Sequence, residues 1–237
     1  MDDIRSTETP AVDGFRLVDV LNDRLHAMQH RSKRARTRAA LIAATALEME
    51  RSGFEGLTVA RIADAAGVAH GTFYTYFANG AEAAMVVRRF YQAAIRCFRP
   101  HGSGGLSAFE AILRMNRFYV RSFARNARLL RAIQMLLYTR ADYAAERDRI
   151  NHRWSMAILH DLGKRGQLAE ELGSGISELL VRSAIAMADE LLREIYVHES
   201  ASLAELARRE ENVAEVISLS WYRILYARDP AASINFG

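Results

Sequence analysis

Apolar side chains recur every three or four positions through most of this chain, in runs broken by short polar or glycine-bearing stretches. That period predicts amphipathic helices rather than strands. Leu41, Ile42, Thr45, Ala46 and Met49 mark one helix that closes near Ser52 and Gly53, with Phe54 and Leu57 following. Val59, Ile62, Ala63 and Ala66 mark a second, opened by Thr58, whose hydroxyl can cap free backbone N–H groups. Gly67 suits the sharp turn that follows, Val68 fills the angle, and Ala69–Tyr76 predicts a short third helix that buries Phe73 and Phe77.

Asn79, with Glu82 three residues on, predicts a capped helix carrying Val86, Phe90, Ala93, Ala94 and Cys97. Residues 100–105 read PHGSGG, a loop. Beyond it, one stripe is Phe109, Ile112, Tyr119 and Phe123. A second is Leu129, Leu130, Ile133, Leu136 and Leu137, and a third, Ile150, Trp154, Ile158 and Leu162, stops at Gly163–Gly166. Two long helices are expected last: from near Ser174 through Leu179, Leu180, Ala184, Met187, Ala188, Leu191 and Ile195, and from near Ser202 through Leu203, Leu206, Val213, Ile217, Ser220 and Ile224. Ahead of them all, Asp13 can cap a helix bearing Val18, Leu21, Leu25 and Met28. A pattern this short is marginal alone, so the expectation is that it docks, on the body of the protein or on a partner subunit, with an extended DNA footprint or disorder as the alternatives.

Composition agrees with an all-α protein: three prolines and 14 glycines in 237 residues, half of them hydrophobic. A lone cysteine, Cys97, excludes an internal disulfide and a cysteine-based zinc site. The formal net charge of +4 and pI near 9.4 favour an acidic partner. With Asp2 and Asp3 at the start and no apolar leader or long apolar span, a cytoplasmic protein that avoids membranes is expected.

The chemistry concentrates in two places. Around the third short helix, His70, Thr72 and Thr75 are candidates to meet base edges in a DNA major groove. Tyr74 and Tyr76 are better suited to phosphates, and Gly71 lets the backbone approach closely. Upstream, Arg31, Lys33, Arg34, Arg36 and Arg38 crowd together without an acidic neighbour, expected as a basic arm before the first helix, with Arg34, Arg36 and Arg38 on phosphates or in the minor groove. A plain helical corner would leave this string of small polar side chains unexplained.

Residues 36–98 resemble the DNA-binding domain of the tetracycline-repressor (TetR) family of bacterial transcriptional regulators. The resemblance rests on Ala43 and Ala44, the Gly53–Phe54 turn, Leu57, Thr58 and Val59, then Ile62, Ala63, Ala66, Gly67 and Val68, and finally Gly71, Thr72, Phe73, Tyr74 and Phe77. It implies phosphate contacts at Thr58 and the two tyrosines, and base-facing positions at Ala69, His70, Thr72 and Thr75, with Val59 in the same site. Where the family often has a lysine at the start of its fourth helix this chain has Gly80 and Ala81, and where the reader often has lysine it has His70, which shifts electrostatic weight onto the arginines.

The resemblance further implies a C-terminal helical domain that binds a small-molecule effector and forms a homodimer through the last two long helices. Candidate pocket residues are Met115, Phe118, Tyr119, Met135, Tyr138, Trp154 and Met187, though ordinary core packing is the better explanation of each. The interface is expected at Leu180, Ala184, Met187, Leu191, Val213, Ile217, Ser220 and Ile224, unless the chain's own core consumes both stripes. Arg114, Arg117, Arg121, Arg125 and Arg128 line one helical side, expected to be solvated, or else to attract an anionic ligand.

The expected organisation is an extension (1–30), a DNA-binding domain (31–79), a connecting helix (80–99) and a helical effector and dimer domain (106–228). No metal or other cofactor is expected. The reading is a ligand-released repressor that binds a palindromic operator in double-stranded DNA. A small helical-bundle enzyme is the alternative from another class, but HExxH, GxSxG, P-loop and GxGxxG motifs are absent, and His152 and His160 are too far apart on one helix to share a metal. A ligand-independent architectural DNA-binding protein would need basic charge spread more widely.

Overall fold

The computed structural model describes residues 14–98, 105–138, 143–164, 174–205 and 207–226. Among them the chain forms α1 (Leu17–Ala27), α2 (Lys33–Ser52), α3 (Val59–Ala65), α4 (His70–Phe73), α5 (Gly80–Phe98) and α6 (Ala108–Arg125). There follow α7 (Ala127–Tyr138), α8 (Tyr143–Lys164), α9 (Ser174–Leu192), a π-helical turn (Arg193–Val197), α10 (Ala201–Ala204) and α11 (Glu210–Tyr226). No strand occurs among the described residues, and the architecture is all-α as the periodicity predicts. None of the helices is long and apolar enough to cross a membrane.

The chain divides into two compact units, Met1–Arg99 with Arg121–Thr139, and Pro100–Val120 with Arg140–Gly237. The break after Arg99 coincides with the expected one, but no break falls at 79, and residues 121–139 join the first unit. The helix expected to connect two domains, α5, belongs to the first unit, and so does α7, because both pack on α2.

In the first unit α2 is the centre, touching α1, α3, α5 and α7. Six consecutive residues, Leu41 to Ala46, are buried, which requires neighbours on every side of the helix, and Ala43, Ala44 and Ala46 keep it thin enough to accept them. Buried Thr45 spends its hydroxyl on the Leu41 carbonyl 2.7 Å away, so no polar atom is stranded there. The buried face of α5 includes Ala84, Val87, Arg88 and Tyr91; of the predicted stripe Ala94 is buried with them, while Val86, Phe90 and Ala93 are half-buried. Phe90 is half-buried because the Arg24 guanidinium covers its ring at 5.0 Å. The side chain of Cys97 lies outside the described residues.

The N-terminal helix exists and docks: Leu17, Val18 and Leu21 are buried, whereas Leu25 and Met28 are half-exposed. It begins with Arg16, not Asp13, in the capping position, and Asp13 lies outside the described residues.

The second unit holds the first part of α6 with α8, α9 and α11. Phe109 meets Tyr222 edge-on at 5.8 Å, and buried Asn116 donates to Ser218 Oγ at 3.0 Å. Arg182 bridges Asp148 and Glu178, each at 2.9 Å; Arg182 holds the Asp148 carboxyl below its ordinary range, and His152 followed by Arg182 does the same for Glu178. The helix expected from Ser202 is split in two: α10 ends at Ala204, and the Arg209 carbonyl accepts the first bonds of a new helix from Asn212 and Val213. The arginine stripe of α6 is not a purely solvated face, since Arg117 donates to Glu211 at 2.6 Å and Arg125 to the Gly14 carbonyl at 2.9 Å.

Candidate nucleic-acid interface

Thr58 occupies the capping position of α3 in extended backbone, and its hydroxyl accepts from the Arg61 N–H at 3.3 Å. Such a cap is worth about 1 kcal/mol. At the other end, Gly67 at φ +66° turns the chain: its N–H donates to the Asp64 carbonyl and the Val68 N–H to the Ala63 carbonyl, both at 3.0 Å. This is the paired-bond helix stop that a left-handed residue permits. The turn delivers Ala69, extended, as the capping residue of α4.

The reader is shorter than predicted. Only His70–Phe73 is α-helical; the Thr75 and Tyr76 N–H groups close tighter three-residue turns onto Thr72 and Phe73, and the Phe77 N–H closes a last four-residue turn onto Phe73. It is held by Phe73 and Phe77, 0 % and 2 % exposed with ring centroids 5.6 Å apart, which with Ile62 and Ala63 form the inner side of the pair. Ala69, His70, Gly71, Tyr74 and Thr75 are exposed, and Thr72 and Tyr76 are half-buried. Tyr74 is 54 % exposed, and its ring stands edge-on to His70 at 5.5 Å and to Phe73 at 5.6 Å, so a buried ring supports an exposed phenol. A Cβ at Gly71 would meet nothing within 4 Å, so the fold does not require a glycine there.

Thr58 is exposed and Val59 half-buried at the start of α3. Arg61, which the sequence reading did not single out, shares that exposed face, reaching Gly56 O at 3.4 Å and lying 4.0 Å from Glu48. The signal was its place three residues after the cap, one turn into the helix that precedes the reader.

The basic cluster corrects the expectation of an arm. Ser32 caps α2 by accepting from the Ala35 N–H at 3.3 Å, so Lys33, Arg34, Arg36 and Arg38 ride on the first two turns of a helix. All four are exposed, and neither they nor Arg31 forms an ion pair among the described residues, whereas Arg51 and Arg61 pair with Glu48. No acidic residue sits in that first turn. Cations at the positive end of a helix oppose its dipole, a cost that a bound anion offsets. Arg38 lies 5.4 Å over the Phe77 ring, which ties the basic helix to the foot of the reader. Asn79 then starts α5, accepting from the Glu82 N–H at 2.9 Å while Glu82 accepts from the Ala78 N–H at 2.6 Å.

The other predicted residues fall elsewhere. Of the pocket candidates, Phe118 is buried, Tyr119 donates to Asp189 at 2.5 Å, and Met115, Trp154 and Met187 are half-buried in the second unit. Met135 is in the first unit and 42 % exposed, so it lines no interior there, and the side chain of Tyr138 lies outside the described residues. Among the interface candidates, Ala184, Val213 and Ile217 are at most 5 % exposed within the single chain and belong to its own core. Leu180, Met187, Leu191, Ser220 and Ile224 are half-buried. The exposed apolar positions are instead Ile176 and Leu179 of α9, at 55 % and 65 %, and Val216 of α11 at 43 %. Helices α9 and α11 pack on each other, and each has apolar residues on more than one side, so periodicity could not say which side faces inward.

Residues 41–82 match the family of bacterial regulatory proteins described as the tetR family. No curated protein matches the chain. A solved structure described as a structural analysis of the fatty acid degradation regulator FadR from Bacillus halodurans is similar in fold, with a TM-score of 0.55 and 19 % identity over 79 % of this chain and 94 % of that one. The fold and the exposed helix pair thus define a DNA-binding transcription regulator of the helix-turn-helix class. Over residues 41–82, which take in more than half of α2, the α3–α4 pair and the first residues of α5, the chain is similar to the tetR family of bacterial regulators.

Proposed function

We propose that the protein is a dimeric repressor that holds a palindromic operator and is released by a small-molecule effector. The observation that carries the DNA half of this reading is the unpaired basic end of α2 locked by Arg38 to a reader whose outer face is small, hydroxylic and open at Gly71. His70, Thr72 and Thr75 read bases, with Ala69 against the groove floor; Thr58, Tyr74, Tyr76, Arg34, Arg36 and Arg38 hold phosphates, with Arg61 added to that set. Dimerisation is supported by the exposed apolar side chains at Ile176, Leu179 and Val216 on the packed helices α9 and α11. In such a dimer two readers sit roughly 34–36 Å apart, one turn of the duplex, and an effector that prefers a different spacing releases the DNA.

Selecting duplexes from a random pool with the purified chain tests the reading at its root. A two-fold symmetric consensus is the expected result, and enrichment without any consensus would replace a repressor by a sequence-neutral DNA binder. Leu179→Glu places a charge on the proposed dimer face without touching the chain's core. It is expected to give monomers by light scattering and to weaken operator binding strongly; an unchanged dimer mass would move the interface elsewhere.

A further inference from the structure

Helix α1 has no cap of its own. Arg16 stands in its capping position and pairs with Asp19 at 2.8 Å, but its side chain accepts from no helical N–H, and the first of these, that of Leu17, donates instead to Asn126 Oδ1 at 2.8 Å, 109 residues away. Asn126 lies between α6 and α7, fully buried, and its Nδ2 donates to the Phe15 carbonyl at 2.8 Å and to the Ser122 carbonyl at 2.7 Å. The Phe15 N–H donates to the buried Ser122 hydroxyl at 3.3 Å, and Arg125 holds the Gly14 carbonyl. Gly14 is at φ +75°, and a Cβ there would come within 2.7 Å of the Ser122 nitrogen and 2.9 Å of the Arg121 carbonyl carbon. The segment is therefore threaded against the α6–α7 corner by bonds that suit one backbone path only.

The same segment also grips the helices that carry the reader. Phe15 packs on Tyr91 of α5 at 5.7 Å, and Arg24 covers Phe90. Arg16 pairs with Glu50 of α2 at 2.5 Å. The pair is incomplete: Glu50 Oε1 is buried with no hydrogen-bond partner among the described residues, and burial outweighs Arg16 in raising the Glu50 carboxyl above its ordinary value. From Ala27 the chain needs only the turn at Met28–Arg31, closed by the Arg31 N–H on the Met28 carbonyl at 2.9 Å, to reach Ser32 and the basic end of α2. Four like charges on a helix's first two turns favour fraying, so that end needs support from outside itself.

We propose that residues 14–28 are a strap that keeps the basic end of α2 helical and in place for DNA, with Asn126 as its latch. This rests on the DNA-binding reading above. The strap touches no DNA. It removes in advance the ordering cost that a flexible arm would meet on binding. Asn126 is thus a positioning residue: it acts on the phosphate-binding cations through the strap, from the corner between α6 and α7.

The full chain tests this with two variants that attack the contact from opposite sides. Gly14→Ala forces the strap off the corner from a position outside every helix, and Asn126→Ala removes the latch's three hydrogen bonds. Hydrogen exchange across residues 17–38 and affinity for the duplex selected by the wild-type chain are measured, the latter over a range of salt. Both variants are expected to exchange faster in α1 and in the first turns of α2, and to bind roughly tenfold more weakly with an unchanged salt slope, since the same phosphates are met. Should Asn126→Ala fail to fold, Gly14→Ala alone carries the comparison. Faster exchange with wild-type affinity overturns the proposal, as does wild-type exchange in Gly14→Ala. A reduced salt slope overturns it in another way, by showing that the strap itself meets phosphates. A wild-type chain that enriches no duplex defeats the DNA-binding reading instead, while the exchange data still report on the latch.

Discussion

Replacing Thr72 and Tyr74 together by alanine is expected to leave a folded chain that no longer holds its operator. Neither side chain supports the core: Tyr74 is more than half exposed and Thr72 half-buried, while Phe73 between them, fully buried, carries the packing. The helix pair should therefore keep its circular dichroism and its melting temperature. On DNA the pair removes one base-edge contact and one phosphate contact, each worth about 1–3 kcal/mol, so roughly 2–6 kcal/mol is lost and affinity falls at least about thirtyfold. Phe73→Ala is the informative contrast. Removing a fully buried ring costs about 3–5 kcal/mol of folding stability, and its loss of binding should come with a loss of structure. Wild-type affinity in the Thr72–Tyr74 double variant, measured by fluorescence anisotropy, would take the reading function away from α4.

The second large effect concerns charge. With Arg34, Arg36 and Arg38 all changed to glutamine, binding should weaken on every duplex, and the slope of log K against log salt should fall by about 2.7, or 0.9 for each phosphate released. Between 50 and 200 mM salt, the variant then loses roughly fortyfold less affinity than the parent. Because these side chains form no ion pairs among the described residues, none of those residues' carboxylates is left stranded by their removal, and stability should change little apart from the contact of Arg38 with Phe77. A loss confined to the selected consensus, with other duplexes unaffected, would mean that these residues read bases rather than meet phosphates.

Legibility followed the reach of the interactions. The helix pair was readable because its determinants are local: the Thr58 hydroxyl meets an N–H three residues on, and the Gly67 stop is made of bonds to Ala63 and Asp64. The Asn79–Glu82 cap is equally local. The basic cluster was visible as charge, but its form was misread as an arm, since a run of cations without a local apolar period looks alike whether it frays or is capped. The C-terminal helices were visible as stripes, yet Ala184, Val213 and Ile217 proved to be core and Ile176, Leu179 and Val216 exposed. A helix that is apolar on two sides gives period without direction.

By itself, the order of residues settled that this is a helical protein with a capped, glycine-turned reading pair beside a block of cations, because caps, turns and amphipathic periods act within a few residues of one another. Tertiary structure alone decided which apolar side of each C-terminal helix is spent inside the chain, that α5 and α7 pack with the reader's unit, and that α1 is capped by an asparagine 109 positions distant. Those outcomes depend on which surfaces meet, and the free energy of such meetings is a property of pairs of elements that no local pattern encodes.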